Sequence, residues 1–487
     1  VTFLLLLAGG AGALEEEAIP VDEWTVEAAR RAHSLAPFTE LDPWTLPMTR
    51  GALAREVAER RQLAAGGSVS PALRGLLEEL ADELAPEIVS LAEGRGERSA
   101  VSAKGTFAIE GRDRRRGAAR AVLHGDLAVR LNPHVFWHQR VRIDTRAADD
   151  PSFLGSEWKE GITGHFTHAY AAFRLPRVRA TAGRRPVAWG NGLSGALLLQ
   201  GAAPPLDQIG ADVRWGPLTA HAFVAALDDL PIEEKGESAR RYLSGHRLSL
   251  RLGSLARLAL SETVVYGGKN RAFDWEYANP LMVYYAIDWN NDGDDNVLWS
   301  IDAYLRAHPT LDLFGELLVD DFQYDRTTEP NQIGFLIGAR AKEIPRLEGV
   351  FFDAEYVRVH NWVYGHEMPW NRYTHGRALL GHMIGPDADR ILLRLSVRRG
   401  RSWEVLLEHE HRREGEGSID DPREGAVPHG TEFLTGEVTT LDLPALEVRV
   451  HPRAARRFFV RVERDRDKEW VPSMGASIRF SGTREGG

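Results

Sequence analysis

Two hydrophobic periods divide the chain. From about residue 15 to 100, apolar side chains return every three or four positions, as on one face of a helix. Thr49 is placed to cap a helix running through LAREVAERRQLA to Gly66. Ser70 caps a second one, with Pro71 at the first position, where a missing N–H costs nothing. Leu73, Leu76, Leu77, Leu80, Leu84, Ile88 and Leu91 form its apolar stripe, and Pro86 should kink or restart it. Helices this few bury too little to stand alone, so they pair with each other or dock on something larger. The charged stretch GRGERS at 94–99 ends the region.

Beyond residue 100 the period becomes two. Val135, Trp137, Val141 and Ile143 alternate with His138, Arg140, Arg142 and Asp144. Leu248, Leu250 and Leu252 alternate with Arg247, Ser249 and Arg251. Phe458, Val460 and Val462 oppose Arg457, Phe459, Arg461 and Glu463, while Met474, Ile478 and Phe480 oppose Gly475, Ser477 and Arg479. The same rule sends His165 and His168 to opposite faces, which leaves no metal or catalytic pair there.

Turn signals fall at Asn132-Pro133, Leu175-Pro176, Gly216-Pro217, Gly253-Ser254, His308-Pro309, Ile344-Pro345, Arg399-Gly400 and His451-Pro452. Longer polar connections lie between them, at 148–162, 229–240, 268–294, 360–388 and 413–435. Short turns at one end and long loops at the other characterise transmembrane barrels. The fold class expected is all-β, a transmembrane antiparallel β-barrel of about eighteen strands with a small N-terminal periplasmic α-helical segment. An even count brings both barrel ends to the short-turn end. The expected divisions are a signal peptide at 1–13, the periplasmic helical segment at 14–100 and the outer-membrane barrel at 101–487. The signal peptide rests on the apolar run Phe3–Ala8 and the small residues Ala11-Gly12-Ala13.

Composition changes this picture little. No run of about eighteen apolar residues exists, so no helix is expected to span a bilayer, but barrel strands need none. The net charge of −10 gives no basic surplus and argues against a nucleic-acid partner. The chain has no cysteine, as suits an oxidising envelope compartment.

Arginines on strand faces call for a wet interior, because a dry core would leave them unpaired at several kcal/mol each. Arg140, Arg142, Arg177, Arg179, Arg185, Arg247, Arg251 and Arg257 dominate the early strands. Asp312, Glu316, Asp320, Asp353, Glu355, Glu404 and Glu408 appear in later ones. The favoured reading is a lumen-filling charge network; the alternative is an anion path through a porin-like diffusion channel.

Two aromatic-rich segments, 273–296 and 360–377, supply candidate carbohydrate platforms in Trp275, Tyr277, Trp289, Trp362, Tyr364, Trp370 and Tyr373. Aromatic faces cover the C–H patches of sugars while neighbouring Asp, Asn and Arg bond the hydroxyls. Asp288, Asn290, Asp292, Gly293 and Asp294 imitate the start of a calcium loop, but Trp299 stands where the bidentate glutamate belongs. No cofactor is therefore expected, with calcium as the alternative. No serine nucleophile motif is present, and no catalytic residue is assigned.

The segments RRPVAWGNGLSGALLLQGAAPPLDQI, RYLSGHRLSLRLGSLARLALSETVVYGG, YANPLMVYYA and GDDNVLWSIDAYLRAHPTLDLFGELLVDDFQYD resemble, in that order, the capsule assembly protein Wzi family. The resemblance covers about residues 45 to 360 and is weaker beyond. It implies an eighteen-strand outer-membrane barrel with a periplasmic helical bundle and a lumen closed by loops. It also implies a lectin that holds exported capsular polysaccharide at the cell surface, with no enzymatic activity. Expected partners are outer-membrane lipids, a surface or capsular polysaccharide, and a periplasmic protein at the helices. The family's sugar-contacting residues do not map onto this chain position by position.

Overall fold

The computed structural model describes residues 15–485, apart from 68, 95–98, 113–118, 157, 159–161, 233–235, 292, 324–326, 345, 400–402, 422–424 and 454. The expected signal peptide, residues 1–13, lies outside the described residues.

Alternation produces eighteen strands that close on themselves. They are β1 (Ala100–Arg112), β2 (Ala119–Arg130), β3 (Val135–Asp144), β4 (Thr163–Arg174), β5 (Val178–Arg185) and β6 (Leu206–Trp215). Then come β7 (Leu218–Ala226), β8 (Ser238–Leu252), β9 (Ala256–Lys269), β10 (Asn296–His308), β11 (Leu311–Asp321) and β12 (Gln332–Ala341). The last are β13 (Val350–Val359), β14 (Ala388–Arg399), β15 (Trp403–Glu414), β16 (Thr439–Arg453), β17 (Arg456–Arg464) and β18 (Trp470–Glu485). Each pairs antiparallel with its neighbours in sequence, and β18 pairs with β1 to seal the barrel, Glu485 opposite Ala100. At this seam the Phe480 ring lies across Gly105, where a Cβ would come within 2.1 Å of it. The strand then continues past Phe480 to Glu485.

Among the described residues the turns lie where the sequence signals put them, with one exception; Pro345 and Gly400 lie outside the described residues. β16 runs on through His451-Pro452 to Arg453, which pairs with Arg456. A register shift between Val450 and Arg453 accommodates the proline, which has no N–H to give the ladder. A second irregularity corrects the histidine expectation. The β3–β4 register shifts so that Arg140 faces His168 and Val141 faces Phe166, leaving Thr167 as the extra residue. The bulge restores parity, and His165 and His168 both point inward with Arg142 and Arg140.

The outward parity carries Leu248, Leu258, Leu260, Ile301, Leu317, Ile337, Leu407, Val460 and Met474, all exposed. This is the apolar band of a membrane barrel, with Trp215 and Trp403 at the short-turn end and Trp470 at the other. No helix among the described residues is long and apolar enough to cross a membrane.

The helical segment comprises α1 (Trp24–Leu35), α2 (Arg50–Ala65), α3 (Pro71–Glu83) and α4 (Ala85–Ala92). The Thr49 side chain accepts the N–H of Ala52 and Ser70 accepts that of Leu73, so both caps form. The helix breaks at Leu84, and Pro86 starts α4. Val26, Ala29, Leu53, Val57, Leu76, Leu77, Leu80 and Leu84 meet in a small apolar core. The segment sits in the short-turn mouth and bonds strands around nearly the whole wall. Glu17 meets Lys104 of β1 at 2.7 Å, Glu23 meets Arg140 of β3 at 3.2 Å, and Glu27 meets Arg340 of β12 at 3.4 Å. Arg31 bonds Glu404 of β15, Ser34 bonds Asp312 of β11, and Glu79 bonds Arg398 and Arg457 of β14 and β17.

The opposite half of the lumen is filled differently. Segments 186–205 and 360–387 fold inward, and Leu197, Leu198, Leu199, Tyr364, Tyr373 and Leu380 pack against Phe223, Leu243, Val265, Leu298, Leu336 and Val357 of β7 to β13. A wet interior was expected around the strand arginines. This part is dry because nine consecutive strands, β6 to β14, carry apolar residues on their inward parity near the long loops.

Candidate functional site

The charged residues picked out in the sequence occupy three settings. Arg140 lies 3.2 Å from Glu23 and 3.4 Å from Asp126. Arg179 lies 3.0 Å from Glu16, and Arg251 donates to the Thr39 carbonyl. The contacts to Glu23, Glu16 and Thr39 tie the wall to the helical segment, while Asp126 belongs to β2. Arg247 pairs with Asp302 at 2.6 Å, Arg142 with Asp144 at 2.7 Å, and Arg340 with Asp353 at 2.5 Å, all within the wall. Arg177 is the exception: it sits exposed in the turn between β4 and β5, outside the lumen network. Among the described residues, carboxylates answer most of the inward arginines, so few are left to line a cationic path.

Acids of later strands hold the inward segment 186–205. The Glu316 carboxylate accepts the N–H groups of Leu197 and Leu198 at 2.9 and 3.1 Å, together with the Ser300 hydroxyl. The Glu355 carboxylate accepts the Leu193 N–H at 2.6 Å and the Ser194 hydroxyl. His382 lies 3.1 Å from the same hydroxyl. Folding thus brings a serine, a histidine and a glutamate together that no motif announced. It is not a nucleophile arrangement. The His382 Nδ1 accepts the Ile384 N–H at 3.2 Å, so its proton sits on Nε2 and points at Ser194. The serine donates to Glu355 and accepts from His382, and all three groups are spent as a clasp. Burial, aided by Arg390 and Arg412, keeps His382 neutral, its pKa well below the usual histidine value.

One arginine missed in the sequence fastens the second inward segment. Arg241 of β8 is fully buried, donates to the carbonyls of Trp370, Arg372 and Thr374 at 2.7 to 2.9 Å, and pairs with Asp228 at 3.2 Å. Asp228 also accepts the Gly376 N–H at 2.7 Å and meets His375 at 3.0 Å. The only available signal was an arginine on the inward parity of β8, shared with Arg247.

The seven aromatic candidates separate. Tyr277, Tyr364 and Tyr373 are buried and cannot serve as open platforms. Tyr277 donates to Asp295 at 2.9 Å, Tyr364 donates to the Leu197 carbonyl at 2.6 Å, and Tyr373 shares a hydrogen bond with Thr263 at 2.9 Å. Burial keeps the phenols of Tyr364 and Tyr373 protonated far above their ordinary range. Trp362 and Trp370 are half-buried in the segment that plugs the lumen. Trp362 has φ +65°, a left-handed conformation a large side chain adopts only when its surroundings impose it. Here the Asn361 side chain accepts the Trp362 N–H at 2.8 Å, and the Trp362 carbonyl accepts that of Gly365. Trp275 and Trp289 are exposed, but on a segment folded over the outside of the wall.

The calcium-like residues do not form a turn of alternating ligands. Asp288 and Asn290 belong to a helix, α5 (Tyr284–Asn290), which sends positions two apart to different sides. The Asp288 carboxylate accepts the Asp295 N–H at 3.1 Å, Asp294 is exposed 3.5 Å from His366, and Asp292 lies outside the described residues. Among the described residues, three acidic or histidine side chains converge at Glu17, Asp126 and His138, where Lys104 and Arg140 already supply the positive charge.

The chain matches the family model described as capsule assembly protein Wzi over residues 94–463. No curated protein matches its sequence. Among solved structures it is similar to Wzi, described as an outer-membrane protein of group 1 capsule assembly in Escherichia coli and a carbohydrate-binding β-barrel. The TM-score is 0.62 at 14% identity, over 95% of this chain and 99% of that one. Pseudomonas aeruginosa OccD3 aligns at TM-score 0.47 and 9% identity, over 80% and 91% of the two chains. OprD of the same organism aligns at 0.46 and 10%, over 80% and 96%.

Proposed function

This chain belongs to the capsule assembly protein Wzi family, and on that premise we propose that it is an outer-membrane barrel that binds a surface polysaccharide and anchors it, without enzymatic turnover. The observation that carries the reading is the locked plug. Segments 186–205 and 360–387 are fastened by Arg241, Glu316 and Glu355 and packed on an apolar core. They make a stiff floor at the long-loop end, and Trp362 and Trp370 are held half-buried in it. A rigid platform suits holding a polymer; it does not suit passing solutes. The Ser194–His382–Glu355 clasp, with its histidine proton directed at the serine, supports a binding role over hydrolysis.

In this reading the short turns and the helical segment face the periplasm and the long loops face outward, as in other membrane barrels. The outer side of the helices, where Leu63 is exposed, is the surface available to a periplasmic partner.

The test is surface retention. Cells carrying W362A, W370A or both, with barrel abundance checked by heat-dependent gel migration, are assayed for cell-bound against shed polysaccharide. The double variant is expected to retain several-fold less. Unchanged retention, or no binding of any envelope glycan by the unaltered protein, overturns the reading. Planar-bilayer recording separates it from an anion channel: silence is expected, and a steady open pore would favour the channel.

A further inference from the structure

The described residues of segment 270–295, between β9 and β10, fold back along the outside of the barrel. Tyr242, Ser244 and His246 of β8, Glu262, Val264 and Tyr266 of β9, and Val297 of β10 share the outward parity of Leu248, Leu260 and Trp299. Yet Ser244, Val264 and Tyr266 are fully buried, and Glu262 and Val297 nearly so. They are covered by Tyr277, Met282, Tyr284 and Ile287 of the returning segment. The Glu262 carboxylate accepts the N–H groups of Tyr284 and Tyr285, both at 2.9 Å, and meets His246 at 3.1 Å. An acid on the lipid-facing parity is costly in the apolar band, so this flap is what makes Glu262 tolerable there.

Position along the strand sets the depth. Glu262 lies seven residues from the end of β9 at Lys269, about 23 Å at a rise of about 3.3 Å per residue. β8 and β9 have 15 and 14 residues, against about 9–11 needed to cross the band. The flap therefore follows the overhanging strand ends down into the outer part of the band. What it shows to the surroundings is apolar and aromatic: Leu281 is 92% exposed, Trp275 81% and Trp289 73%. Between flap and wall runs a cavity of about 530 Å³. Its floor is Ala211, Ala220 and Ala222, its roof Leu281 and Val283, and Leu260 stands at its edge. Ala211 pairs with Ala222, and Ala220 lies two residues along the same strand, so the wall is shallow beneath the flap.

We propose that this flap is seated in the outer leaflet and that the groove beneath it takes an acyl chain of a membrane lipid. The groove opens from the lipid-facing belt itself, so acyl chains are the medium already in contact with it; its surface is mainly apolar, with the paired Glu262 and His246 among its lining residues. The inference rests on the membrane barrel and not on the polysaccharide reading; a protein that binds no glycan would still have this flap.

The chain has no cysteine, so single-cysteine variants report cleanly. L281C is compared with D420C, whose side chain is largely exposed on the long-loop side. Full-length protein is reconstituted in phosphatidylethanolamine–phosphatidylglycerol vesicles. A water-soluble maleimide is expected to label L281C at least tenfold more slowly than D420C, and a fluorophore at L281C should be quenched by brominated acyl chains. Equal labelling without quenching overturns the proposal. Protection that grows with protein-to-lipid ratio, with disulfides forming between L281C copies, also overturns it and assigns the groove to a second copy. For the groove, A220F and A222F should each lose the lipid that the unaltered barrel carries through detergent purification, read by native mass spectrometry with folding checked by gel migration. Equal retained lipid in all three, or none in the unaltered protein, overturns the acyl-chain site.

Discussion

At the scale of single residues, the helical segment is held to the barrel by charges with unequal sensitivity to acid. Burial pushes the Glu79 carboxyl up, but His451, Arg398 and Arg457 outweigh it and hold its pKa at about 2. Glu23 is held at about 2 in the same way, burial being offset by Arg479 and Arg140. Their contribution is present above the ordinary carboxylate range and is lost only as pH falls through about 2. His33 behaves differently. It lies between Phe38, Trp44 and Tyr304, and its Nδ1 accepts the Phe38 N–H at 3.2 Å. Burial, with Arg306 and Lys342 assisting and Asp42 opposing, lowers its pKa to about 3. The released state takes up a proton near pH 6.5 and the docked state does not, so stability present above 6.5 drains away as pH falls towards 3. Hydrogen exchange of α1 is expected to show docking weakened by about 1–2 kcal/mol between pH 7 and pH 4.5, after allowance for the ring's partial exposure. H33Q keeps the acceptor and removes the titration, so it should flatten that dependence. An unchanged slope in H33Q would show that another group carries it.

At the scale of elements, Arg241 decides whether the inward segment 360–387 stays in place. R241M takes the donor from the carbonyls of Trp370, Arg372 and Thr374 and leaves Asp228 with only Gly376 and His375. Removing one partner of a fully buried pair costs about 3–5 kcal/mol, and the part-exposed Asp228 with its remaining partners brings the cost here to about 2–3 kcal/mol. The expected result is a barrel that folds and migrates normally, with fast hydrogen exchange across 360–387 and reduced polysaccharide retention. Protection equal to the unaltered protein would remove Arg241 from this role. Strands, caps and most turns were legible because each depends on neighbours along the chain: Thr49 on Ala52, Leu248 on Arg247. The destination of a loop depends on partners far away. Ala196–Leu199 reads as an apolar run of no stated purpose until Glu316 is seen to accept its N–H groups. Likewise Tyr364 and Tyr373 had the composition of a sugar platform, and their burial follows only from where segment 360–387 goes. One inserted residue, Thr167, was enough to reverse the parity expected of His165 and His168.

At the scale of the molecule, the lumen holds two stoppers in series. The helical segment closes the short-turn mouth with charges, and the inward loops fill much of the other half with an apolar core. They are built from different parts of the chain and fastened by different residues, so each can be removed while the other stays. Deleting residues 15–92 strips Glu404, Arg398 and Arg340 of their helical partners. Water entering the opened mouth can solvate those groups, so the barrel should survive the deletion. If the loop plug seals by itself, planar bilayers containing the deletion variant stay near baseline conductance, and polysaccharide retention changes little because the outer floor is intact. Combining the deletion with R241M should then produce a conducting barrel, since both stoppers are loosened. A steady pore from the deletion alone would show that the helices are the seal and that the loops leave a water path beside the charged wall of β15 to β18. That outcome would restore the diffusion channel as a working reading, because the lumen arginines would face open water once Glu23, Glu27 and Glu79 no longer answered them.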